Sequence, residues 1–200
     1  MWETLVEGGI MMIPLLLCSV LVLALVFDRG FALRRKNVIK PETEKIIEKI
    51  QSNVDINMAL SLCRENKDTF SNIVNAALET QSSSSQEIKE IIEEQGRQEV
   101  RRLEKGLVIL ETIAGIAPLL GLLGTVLGMI EVFDVITIEG LAKTAALSSG
   151  ISQALITTVA GLSIGIFALV FYNYFTNKAE NLVLEIEKNS SRLLQKIQKF

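Results

Sequence analysis

Residues 144–177, TAALSSGISQALITTVAGLSIGIFALVFYNYFTN, carry no charge across 34 positions, with Lys143 and Lys178 at their borders. At a rise of 1.5 Å per residue such a helix reaches about 51 Å. The hydrocarbon core of a bilayer is only about 30 Å thick. A helix built from this stretch therefore spans a membrane and projects into water on at least one side. Two more apolar blocks precede it. Ile10–Phe27 is 18 residues without a charge, and Thr112–Ile130 is 19 uncharged residues between Glu111 and Glu131. Each is long enough to cross with its backbone bonded internally as a helix. Hydrophobic residues make up 49% of the chain and charged residues 22%, a combination explained by their segregation into separate blocks. The expected fold is all-α: a polytopic membrane protein with three transmembrane helices, long helices extending into the cytoplasm and a small helical cytoplasmic region.

Direction follows from the basic residues. The stretch 28–106 holds 14 of the 20 Lys and Arg, the tail after Asn177 holds 5, the loop between the second and third blocks holds only Lys143, and the N-terminus holds none. The positive-inside rule then places the N-terminus and the short loop outside. The expected organisation is a periplasmic N-terminus (1–9), a first span (10–27), a cytoplasmic helical region (28–110), a second span (111–131), a short periplasmic loop (132–146), a third span (147–175) and a cytoplasmic C-terminal helix (176–200). Met1–Gly9 has no Lys or Arg, so the first block reads as an uncleaved span rather than a secretory signal.

The 28–110 region reads as helical hairpins. Pro41 suits the first position of a helix, with Ile46, Ile47 and Ile50 on one face. Asp55 and Thr69 are expected N-caps, and Phe70, Ile73, Val74, Ala77 and Leu78 form the apolar side of the second of these helices. Ser84 with Glu87 fits a capping box. From there Ile88, Ile92, Val100, Leu103 and Leu107 continue a helical stripe with no proline before Pro118, which predicts a single helix from about Ser85 into the second span.

Spans two and three carry more than lipid-facing bulk. In span two, Ala114, Ala117, Gly121, Gly124, Thr125 and Gly128 fall within one arc of about 100°. In span three, Gly150, Ala154, Thr158, Gly161 and Gly165 form a second small-residue face. Such faces let helix backbones approach closely; packing within one subunit accounts for them without any channel. Gly121, Gly124, Gly128, Gly161 and Gly165 are the candidate close-packing positions. Ser148, Ser149, Ser152, Gln153, Thr157 and Ser163 form a broad polar face. The outer solvated end of the helix explains the first two. Ser152, Gln153, Thr157 and Ser163 are the candidates for lining a pore or touching a partner.

Several chemistries are excluded. The chain has no histidine and only two cysteines, Cys18 and Cys63, in blocks of opposite polarity and without a Cys-x-x-Cys metal pattern. No nucleophile motif or phosphate-binding loop is present, so no enzyme activity, cofactor or metal is expected. A net charge of −3 gives no case for nucleic acid. No span has a central Asp, Glu, Lys or Arg. A proton-moving protein needs a titratable group at membrane depth, so here that group would come from another chain.

Two stretches carry a resemblance. Ala117-Pro118-Leu119-Leu120-Gly121-Leu122-Leu123-Gly124-Thr125-Val126-Leu127-Gly128-Met129-Ile130, and Gly150-Ile151-Ser152-Gln153-Ala154-Leu155-Ile156-Thr157-Thr158-Val159-Ala160-Gly161-Leu162 with the trailing Tyr172-Asn173, are similar to the signatures of the MotA/TolQ/ExbB proton-channel family, in its three-span ExbB/TolQ branch. The resemblance implies a multi-pass protein of the bacterial inner membrane, in a homo-oligomeric, pentameric ring. Inside the ring it implies a dimer of an ExbD/TolR-like single-span subunit that carries the titratable aspartate. Flow down the proton-motive force would drive work on the cell envelope or energise outer-membrane transport, through a TonB-like or Tol-type protein. It implies that Thr125 and Thr158 are the ion-path threonines. Many members have Glu at the position of Gln153 and proline at that of Phe167. A non-conducting membrane scaffold, or a motor coupled to Na+, is the alternative function.

Overall fold

The structure is a computed structural model that describes residues 8–49, 53–66, 68–80, 84–139 and 144–197. Its helices are α1 (Met12–Ala32), α2 (Arg35–Val38), α3 (Pro41–Lys49), α4 (Asn53–Asn66), α5 (Thr69–Glu79), α6 (Ser85–Glu104), α7 (Leu107–Glu139) and α8 (Thr144–Ile197). No strand occurs among the described residues. The all-α fold with three helices long and apolar enough to cross a membrane matches the reading of the sequence. The chain divides into two compact units, Met1–Asp28 with Gly106–Tyr174, and Arg29–Lys105 with Phe175–Phe200.

The first unit holds the three apolar helices. Its buried apolar side chains are Met12, Leu15 and Val22 of α1, Leu107, Leu110, Ile113, Ala117 and Val132 of α7, and Ala154 and Ala168 of α8. Outward it presents large apolar side chains, among them Leu17, Val20, Leu119, Leu122, Leu155, Val159 and Phe167. A surface of this kind is stable only against lipid or other protein. Pro118 lies inside α7. It has no N–H to give the carbonyl four residues earlier, Ala114, so that acceptor is left for another donor.

The second unit has a conventional core. Phe70, Ile73, Val74, Ala77 and Leu78, the apolar side of α5, are all buried, together with Leu33, Ile39, Ile56, Cys63, Leu103 and Leu193. Asp68 caps α5: its carboxylate accepts from the Ser71 amide at 3.1 Å and the Ser71 hydroxyl at 2.6 Å, and Thr43 meets the same hydroxyl at 2.8 Å. Glu99 is 2% exposed. One of its oxygens accepts from Arg102 at 2.8 Å, Asn72 at 3.0 Å and Gln95 at 3.3 Å. Arg35 bridges Glu44 and Glu185, and these bonds hold its guanidinium above the ordinary arginine value, the Glu185 bond most of all.

Four expectations change. Thr69 is the first residue of α5 and Asp68 is its cap. Asp55 lies within α4 rather than before it. The side chains of Asp55, Ile46 and Ile50 lie outside the described residues. The predicted single helix from Ser85 stops at Glu104 and restarts at Leu107, because Gly106 adopts φ +87°, the left-handed conformation that ends a helix. The capping box at Ser84 and Glu87 is formed, at 3.3 and 3.0 Å. The expected loop at 132–146 is mostly helical, since α7 runs to Glu139 and α8 begins at Thr144; residues 140–143 lie outside the described set. The third span and the C-terminal helix are one uninterrupted helix of 54 residues, with no break at Phe167.

A candidate ion path on the helix hairpin

Helices α7 and α8 run antiparallel in backbone-to-backbone contact. A Cβ added to Gly161 would stand 2.5 Å from the Ala117 carbonyl oxygen, and one at Gly121 2.9 Å from that of Thr157. At Gly128 it would stand 2.9 Å from the Gly150 carbonyl, and at Gly124 2.4 Å from the Thr157 hydroxyl. Gly165 faces Pro118, whose ring atoms would lie 2.7 and 2.8 Å from its Cβ, with the Ala114 carbonyl at 3.2 Å. The carbonyl that Pro118 leaves without its helical donor is thus met by a glycine of the other helix, where a Cα–H can approach it. The five glycines singled out in the sequence all lie in this one contact.

The polar residues separate around it. Take 100° per residue and the run Gly150, Ala154, Thr157, Gly161 and Gly165 as the centre. Thr158 then lies about 60° to one side, Gln153 about 80° to the other, and Ser152 and Ser163 on the far face. On α7, Thr125 lies about 65° from the centre of its own buried run. Because the helices are antiparallel, Thr125 and Thr158 share one flank of the hairpin. Thr158 donates towards the Gly121 carbonyl at 3.4 Å and that of Ala154 at 3.3 Å. Thr125 donates to the Leu122 carbonyl at 2.6 Å. Both side chains are half-buried. A hydroxyl that donates to backbone keeps its lone pairs for a proton or cation from outside.

The other candidates stand elsewhere. Thr157 is 1% exposed and donates to the Ala154 carbonyl at 2.9 Å. It is a packing residue of the hairpin and presents no surface to a channel. Ser152 and Ser163 are exposed, on the face opposite the contact. Gln153 is half-buried beneath the N-terminal turn. Gly9 has φ +67°, and a Cβ there would lie 2.0 Å from the Gln153 amide nitrogen. A residue missed by sequence reasoning is Glu131, which lines a cavity of about 180 Å³ together with Gln153, Gly8 and Gly124. It lies 22 positions from Gln153 in sequence, at a helix boundary, and no local pattern joins the two.

Residues 65–188 match the MotA/TolQ/ExbB proton channel family. The biopolymer transport protein ExbB-like 1 of Synechocystis is 34% identical over 175 residues, covering 83% of this chain and 66% of that protein. An ExbB homolog of Methanothermobacter thermautotrophicus is 30% identical, over 76% of this chain and 55% of its own length. The Tol-Pal system protein TolQ of Pseudomonas aeruginosa is 28% identical over 92% of this chain and 86% of its own. The chain therefore spans about two thirds or less of the length of the first two. The family match takes in both halves of the glycine contact and the two threonines beside it, and this chain is a member of the MotA/TolQ/ExbB proton channel family.

Proposed function

We propose that this chain is the ring-forming channel subunit of an ExbB/TolQ-type motor in the bacterial inner membrane, with its N-terminus periplasmic and its C-terminus cytoplasmic. The ring, a pentamer, encloses an ExbD/TolR-like single-span dimer and uses the proton-motive force to work on the envelope through a TonB-like or Tol-type protein. The observation that supports this most is the pairing of Thr125 and Thr158 on one flank of a hairpin whose backbone contact leaves no room for water. No Asp, Glu, Lys or Arg lies between Thr112 and Ile130 or between Thr144 and Asn177. A proton crossing at this depth therefore needs a carboxylate from a partner, and on this reading the two hydroxyls receive and orient it.

Thr158→Val tests this. An interhelical hydroxyl bond is worth only about 0.6 kcal/mol, so the ring stays assembled by native mass spectrometry. Energised work in cells falls by about 100-fold, the low end of what a positioned proton-transfer group contributes. An assembled and fully active variant would remove Thr158 from the path.

A further inference from the structure

The second unit leaves a long groove open between α6 and α8, of about 780 Å³. On α6 it is lined at Lys89, Ile92, Gly96 and Val100, steps of three and four. On α8 the lining recurs at Val183, Ile186, Ser190 and Leu194 with the same steps. Two antiparallel helices with matched stripes and a gap between them form the seat for a third helix. A Cβ at Gly96 would meet nothing within 4 Å. Ser190 is 5% exposed, yet its hydroxyl has no hydrogen-bond partner, a state that costs free energy until an occupant supplies one.

We propose that the occupant is α8 of a neighbouring copy, seated by Leu184. This rests on the ring reading above. In a membrane all copies stand the same way up, so a closed ring turns about the membrane normal and every residue keeps its depth. Whatever fills the groove must then come from the same depth, and a ring contact must join two different patches of the subunit. Leu184 meets both conditions. It is 62% exposed, lies on α8 at the depth of the groove, and stands about 90° around the helix from the side that lines the groove of its own chain. Glu180 and Lys188 stand one turn to either side of it. On α6 the groove wall carries Arg101 and Glu93, one turn to either side of Arg97, with Gly96 beside it. With the helices antiparallel, seating Leu184 over Gly96 sets Glu180 of one copy against Arg101 of the next and Lys188 against Glu93. The two stripes share one pitch and carry opposite charge at both ends.

The test uses two differently tagged chains expressed together, one Gly96→Cys and one Leu184→Cys, both in a Cys18→Ser, Cys63→Ala background. Mild oxidation gives a mixed-tag dimer that reductant dissolves and that neither variant gives alone; a link within one chain cannot produce it. Arg101→Glu in the first chain abolishes the mixed dimer, and Glu180→Arg in the second restores it. If the full chain assembles by native mass spectrometry but no mixed dimer forms, the groove contact is wrong and the ring stands. If the full chain is a monomer, ring and contact fall together.

Discussion

Cys63 is a buried thiol beside a carboxylate. Burial, and then the charge of Asp68, push it up from 9.0 to about 11. A raised value means the folded state holds this proton more tightly than the unfolded chain. Its stabilisation is complete below pH 9 and is lost as pH climbs from 9 to 11. A rise of this size corresponds to about 3 kcal/mol, an upper bound. Chemical denaturation at pH 8 and pH 11 will show a larger alkaline loss for the native chain than for Cys63→Ala. Equal losses would remove the thiol as the cause. Glu99 makes a second residue-level case. Glu99→Ala leaves Asn72 and Arg102 without their shared acceptor, and costs about 1 to 3 kcal/mol, read as a lower thermal midpoint. The sequence revealed little of either. Glu99 sits in a run dense with charge, and only the fold sets it apart from its exposed neighbours Gln98 and Arg101. Thr157 and Thr158 are adjacent and chemically identical, yet one is sealed in the hairpin and the other stands beside it.

At the scale of elements, glycine decides both the break and the contact. Gly106 at φ +87° ends α6 where apolar periodicity runs on without a signal. Gly106→Ala places a Cβ in the left-handed region at a cost of about 1 to 2 kcal/mol, and circular dichroism of the purified chain will register a lower melting temperature. Gly161→Leu is the harsher change, because backbone already occupies the space where its Cβ would go. This variant will fail to yield assembled protein, whereas Gly115→Leu, at a position with open space, will assemble as usual. Spacing alone showed that Gly121, Gly124, Gly128, Gly161 and Gly165 belong to close faces. It did not show that the faces meet each other, since small-residue stripes serve contacts within and between chains alike.

For the whole molecule, the separation of charge from apolar residues makes three crossings legible in the sequence, and the division into two units falls along the same line. Topology follows as a prediction. In intact cells, a membrane-impermeant maleimide will label Thr137→Cys, while Ser191→Cys reacts only after lysis; the reverse pattern would invert the protein. The polar face expected on the third span did not survive as one surface, because 100° per residue spreads Ser152, Gln153, Thr157 and Ser163 over three different surroundings. The glycine contact that replaces it has a dielectric consequence. Two helices in backbone contact have almost no side-chain dipoles between them that can turn. On the proposed ion path, a charge arriving at their flank would be screened chiefly by the hydroxyl rotors of Thr125 and Thr158. Such rotors reorient in picoseconds to nanoseconds, far faster than any helix moves, so in the proposed motor the wall would answer an ion by polarisation alone.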